Sequence, residues 1–284
     1  MKPPQPILIE TALFKELDVE LLSLLGHLDI NDWNRPTVCS EWTVKDIAAH
    51  LLDGSIRRLS AQRDGYLPPE APDGFDSNAS LVDYLNDLNA AWTKAARRIS
   101  PNILIHLLEI TGKEYSEFMG TLDPFAPAIF SVAWAGEDRS LNWMDVAREY
   151  TEKWHHQQQI AEATGNLGRI LSRRLYFPVL DTFMRALPFT FRNASSEEGT
   201  LVQVRVPGSA GGDWFVRRDA GSWVLGYEAE GPADAVVTLD QDVAWRVFTK
   251  RMNAQSAMRK FPSIKIEGDD SLGRVALEMV SIMA

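Results

Sequence analysis

The spacing of apolar residues changes once along this chain, and that change limits the folds open to it. Up to about residue 165 they recur at three- and four-residue intervals, and from about residue 200 they alternate. The first period lines one stripe of a helix; the second lines one face of a strand. Leu13, Phe14, Leu17, Leu21, Leu24, Leu25 and Leu28 predict a helix from Thr11 to Leu28, ended by the turn formers and proline of Asn31 to Pro36. Thr43-Val-Lys-Asp46 has the spacing of a capping box, with Trp42 and Ile47 placed as a hydrophobic staple across it. Val44, Ile47, Leu51, Ile56 and Leu59 carry that second helix on. Leu67 to Ser77 reads as a loop, and Ser80-Leu-Val-Asp83 as the cap of a third helix. Ser100-Pro101 opens a short helix, and a long one runs from Leu141 to Thr164, stopped by Gly165. Four main helices of this kind make a bundle.

Beyond residue 200 the elements are short. Leu201 to Val206, Trp214 to Val216, Trp223 to Tyr227, Ala235 to Leu239 and Ile264 to Ile266 read as strands, with helices from Gln241 to Met252 and from Ser271 to Met283. The expected fold class is therefore two-domain α+β. The boundaries fall at 1–168 for the helical domain, 169–199 for a linker containing a helix, and 200–284 for the α+β domain.

The bulk properties narrow the partners. A net charge of −10 with no dense basic patch argues against nucleic acid. There is no apolar run of about 18 residues to span a membrane, and Met-Lys-Pro-Pro-Gln-Pro lacks the apolar core of a signal peptide. With one cysteine there is no intrachain disulfide, which suits a reducing compartment. The expectation is a cytoplasmic protein, monomer or homodimer, acting on a small molecule.

The residues with the most chemical promise lie on two helices. Glu152 and His156 are four residues apart, so a helix stacks them on one face, where they can take two corners of a divalent metal. His50 supplies a third corner if the bundle brings its helix alongside. Three protein ligands and an open position describe a catalytic site rather than a structural one. The competing reading is a solvated helix face, because Trp143, Val146, Ala147, Tyr150 and Trp154 form the apolar stripe opposite. His155 is the second choice to His156. Glu149, one turn before Glu152, is a candidate partner to a metal ligand or general base, and Arg246 and Arg251 are candidate contacts to an acidic substrate, with an exposed helix charge the favoured reading for both. Cys39 reads as structural, and His27 and His106 as structural or surface groups.

Pro36-Thr-Val-Cys-Ser-Glu-Trp-Thr-Val-Lys-Asp-Ile-Ala-Ala-His50 together with Glu152-Lys-Trp-His-His156 resembles the mycothiol-dependent maleylpyruvate isomerase family. Ala235 to Leu239, Trp245 to Phe248 and Glu267 to Leu272 resemble its second, sterol-carrier-like module. The resemblance implies a DinB-like four-helix bundle with a divalent metal, zinc first, held by His50, Glu152 and His156. It also implies a low-molecular-weight thiol such as mycothiol, used in isomerisation or thiol transfer on a small electrophilic substrate. Three other functions stay open: a non-enzymatic small-ligand-binding protein, a hydrolase using a metal-bound water, and a protein-interaction role with no metal.

Overall fold

The computed structural model describes residues 1–66, 78–249 and 252–282. They form two compact units, neither continuous in sequence: Met1–Leu8, Pro124–Thr151 and Leu171–Ala284 in one, Ile9–Asp123 and Glu152–Ile170 in the other. The first contains the sheet and the second is helical. The expected loop from Leu67 to Ser77 lies outside the described residues. No described helix is long and apolar enough to cross a membrane.

The helical unit contains α1 (Thr11–Gly26), α2 (Ile30–Trp33), α3 (Val44–Arg58), α4 (Asn78–Ala96) and α5 (Pro101–Met119). It also takes the part of α6 (Asn142–Thr164) that follows Thr151. Its core gathers Leu21, Leu24, Leu25, Trp33, Ile47, Leu52, Leu104 and Ile160. The helix expected to be short, α5, runs for 19 residues. Its buried stripe includes Gly112 and Ser116, so its apolar period is broken in sequence. Gly112 marks a close approach: a Cβ there would lie 2.8 Å from the carboxylate of Asp18 on α1, so that side chain would have to shift. Helix α4 begins at Asn78, so Ser80 sits inside it rather than at its cap. Asp29 caps α2, a short helix within the stretch expected to be only a turn.

The start of α3 is pinned, and this fixes His50. Thr43 and Asp46 form the expected capping box. Asp46 also accepts from Arg97, just past α4, through Nε and Nη2 at 3.1 Å each. One turn on, Trp92 Nε1 donates to the Ala49 carbonyl at 2.8 Å. Burial alone would raise the Asp46 carboxyl, but hydrogen bonds from Arg97 and Thr43 outweigh it and hold the group below its ordinary 3.8. A depressed folded pKa means stability present above the unfolded value and lost as pH falls through the folded one. Asp46→Asn is therefore expected to remove part of the stability loss below about pH 4, read from urea midpoints of both proteins between pH 5 and pH 3. Parallel acid limbs would refute this.

The sheet unit follows the expected strands closely. They are β1 (Leu201–Val206), β2 (Gly212–Asp219), β3 (Ser222–Gly226), β4 (Ala235–Thr238) and β5 (Lys265–Gly268), in the order β3-β2-β1-β4-β5. Among the described strands β1 and β4 pair in parallel and the other pairs are antiparallel. The β2–β3 hairpin turns at Ala220 and Gly221, both with positive φ, which matches the right-handed twist of the strands. The segment expected to hold one helix has two, α7 (Arg173–Met184) and α8 (Leu187–Phe191). After β4 come α9 (Gln241–Thr249), α10 (Ala254–Lys260) and, after β5, α11 (Asp270–Leu277). Helices α8 and α11 pack on the sheet.

A buried polar hub ties α7 to the strands. Asp181 accepts from Trp214 Nε1 at 2.8 Å, from the Tyr227 hydroxyl at 2.7 Å and from Arg185 at 3.1 Å. Arg185 also donates to the Gln5 carbonyl at 2.6 Å and to the Tyr227 oxygen at 2.8 Å.

Candidate metal centre

Helices α3 and α6 bring three histidines and a glutamate together inside the helical unit. The rings of His50 and His156 lie 4.6 Å apart, centre to centre, edge to face. His156 Nε2 is 3.4 Å from Glu152 Oε2, as the four-residue spacing requires. Trp42, just before the α3 cap, lays its indole against both imidazoles, 4.8 Å from His50 and 6.2 Å from His156. The staple position read in the sequence thus also walls the site.

Around this group α6 is buried where an open face was the competing expectation. Thr151 and all of His155 to Gln159 are buried. Donor atoms of Glu152, His155 and His156 lie within 4.8 Å of one another. That tight group leaves out His50, yet His50 stands directly beside His156. The structure therefore gathers both histidines considered for the α6 position and the one expected from α3.

The electrostatics favour a neutral His50. Burial first, then the neighbouring His156 and Arg57, hold its imidazole well below 6.5, against a hydrogen bond to Asn89. Its Nδ1 is buried and has no hydrogen-bond partner among the described residues. A buried ring nitrogen in that condition is open to a ligand atom.

Gln159 was missed by the sequence reading. Its Oε1 is 2.9 Å from His156 Nδ1 and its Nε2 is 3.0 Å from His155 Nε2. The signal was present: His155 and His156 stand four and three residues before it, the two spacings that meet on a helix surface.

The other candidates fall elsewhere. Glu149 pairs with Arg148 at 2.7 Å, and Arg148 with Asp145 at 2.5 Å. Arg251 lies outside the described residues. Arg246 is not the exposed charge expected: it is buried, paired with Asp242 at 2.7 Å and laid on the Trp245 ring, because its aliphatic stem covers apolar surface. Cys39 is half-buried, its amide donating to Thr37 Oγ1. His27 and His106 are at the surface.

The sequence pattern that defines the mycothiol maleylpyruvate isomerase N-terminal domain matches residues 14–161. That is more than half of the chain and contains every residue of the centre. The chain belongs to this family. Among solved structures it is similar to the mycothiol-dependent maleylpyruvate isomerase, at 12% identity over 84% of this chain and 86% of that one, with a TM-score of 0.47. A sterol carrier protein domain 2 from Helicoverpa armigera matches 34% of this chain and 81% of its own, at 19% identity and a TM-score of 0.28. A ubiquinone synthesis protein, UbiJ-SCP2, matches 33% and 77%, at 20% identity and a TM-score of 0.24. No curated protein matches the sequence.

Proposed function

We propose that His50, Glu152 and His156 hold one divalent metal ion, and that the chain uses it with a low-molecular-weight thiol such as mycothiol. The reaction is isomerisation of, or thiol transfer to, a small electrophilic substrate. The observation that carries this reading is the meeting of His50 with the Glu152–His156 pair from a different helix. Two imidazoles and one carboxylate suit zinc and leave it a coordination position. The orphaned Nδ1 of His50 supports the fit. Such an ion, when bound, stabilises a thiolate at neutral pH and polarises a substrate oxygen.

The chain's own residues do the rest. His50, kept neutral, offers a lone pair rather than a proton. Glu152 brings the negative charge that a cation needs in a half-buried place. Trp42 shields one side of both imidazoles from water. The thiolate sulfur would add to the electrophilic carbon of an unsaturated substrate as its carbon–carbon π bond opens and the electron pair moves to a conjugated carbonyl oxygen. In isomerisation the pair returns after bond rotation and the carbon–sulfur bond breaks to release the same thiolate; in thiol transfer the adduct takes up a proton and leaves.

Elemental analysis of protein purified without chelator tests the centre. About one divalent ion per chain is expected in the wild type, and far less in Glu152→Ala. A metal-free wild type would end the reading. Turnover without added thiol would keep the metal and remove the thiol.

A further inference from the structure

Within that reading, on which this inference rests, we propose that Gln159 is a positioning residue that selects His156 over His155 as ligand and turns its Nε2 toward Glu152. The two ends of a carboxamide are chemically distinct: Oε1 only accepts hydrogen bonds and Nε2 only donates them. Gln159 Oε1 faces His156 Nδ1 at 2.9 Å, so that nitrogen carries the proton and donates it. The lone pair of His156 is then on Nε2, 3.4 Å from Glu152 Oε2. A lone pair facing a carboxylate oxygen at that distance is unfavourable unless a positive charge stands between them.

The other end of the amide does the opposite at His155. Gln159 Nε2 donates to His155 Nε2 at 3.0 Å, so that lone pair is engaged and the ring proton is on Nδ1. One side chain thus readies one histidine and occupies its neighbour. The three residues are buried, at 4% exposure for Gln159, 2% for His155 and 8% for His156, so water does not readily replace these bonds. Turning the amide over would reverse both assignments. It would put the His156 proton on Nε2 and withdraw that atom from coordination. The arrangement is the familiar outer hydrogen bond that orients a metal-bound imidazole, supplied here by an amide that also discriminates between adjacent rings.

The test uses the full chain and zinc, with affinity from competition against a chromophoric chelator and histidine tautomers from nitrogen–proton correlation spectra. Gln159→Leu is expected to weaken zinc binding about 10- to 100-fold. Gln159→Glu, whose carboxylate still accepts from Nδ1, is expected to bind zinc at least as tightly as the wild type. A merely structural amide would show losses in both. His155→Gln is expected to leave the affinity within about threefold. The loaded wild type is expected to show His156 protonated at Nδ1. Wild-type affinity in Gln159→Leu, loss of zinc in His155→Gln, or His156 protonated at Nε2 would each overturn the proposal while leaving a metal centre in place. A wild type that takes up no zinc overturns both. If Gln159→Leu does not fold by circular dichroism, the wild-type tautomer spectrum and His155→Gln decide.

Discussion

Zinc is expected to raise the unfolding free energy of the wild type, and His50→Ala is expected to lose nearly all of that rise. A ligand that binds only the folded chain at a hundred times its Kd stabilises it by about 2.7 kcal/mol. For a unit of this size that corresponds to roughly 5–15 °C in the midpoint. In the proposed centre the His50 imidazole is the ligand from α3, so its loss would remove the link between two helices through the ion as well as one donor. Without metal, the two proteins are expected to differ less. His50 Nδ1 is buried without a hydrogen-bond partner among the described residues, so alanine removes an unsatisfied group as well as some packing. The measurement is a thermal melt of each protein with excess zinc and with chelator. Equal zinc stabilisation in both would exclude His50 from the centre, whatever the fate of Glu152 and His156.

The parts of the fold that were legible in sequence are those set by neighbours in the chain. The Thr43–Asp46 box, the Ser100-Pro101 start and the left-handed Gly165 at the end of α6 are local devices, and each is found where the sequence put it. Alternation likewise located the strands. The length of α5 was hidden because its buried face uses Gly112, which lies close to Asp18 of α1, and the polar Ser116. The candidate centre was half legible. Spacing paired Glu152 with His156, but nothing local said that the polar run from His155 to Gln159 would be buried. Periodicity treats glutamine and histidine as surface residues, and only a partner helix with polar groups of its own overturns that. The family resemblance, rather than the period, linked His50 to α6. Gln159 was passed over for the same reason: a buried amide has value only through the two rings it separates.

The Asp181 hub shows the limit of local reading from the other side, and it carries the largest expected loss of stability. Trp214 and Tyr227 lie 33 and 46 residues along the chain from Asp181, so no motif connects them. Asp181→Ala is expected to destabilise the protein by about 3–5 kcal/mol, the cost of breaking a buried pair by removing one partner. The size follows from what is left behind. Arg185 keeps its bonds to the Gln5 carbonyl and the Tyr227 oxygen but loses its ion pair with Asp181, and the Trp214 N–H loses its acceptor. Asp181→Asn keeps an oxygen for Trp214 but places an NH2 donor where Oδ2 accepts from Tyr227 and Arg185, so it is expected to destabilise the protein as well, with less cavity than alanine leaves. A second readout separates the charge from the packing. Burial first, and then the Asp181 charge and its hydrogen bond, push the Tyr227 phenol above its ordinary 10. In either variant that phenol should ionise at lower pH than in the wild type, as followed by ultraviolet titration. A urea midpoint for Asp181→Ala close to the wild type, with an unmoved tyrosine titration, would mean that the hub does not hold α7 to the sheet.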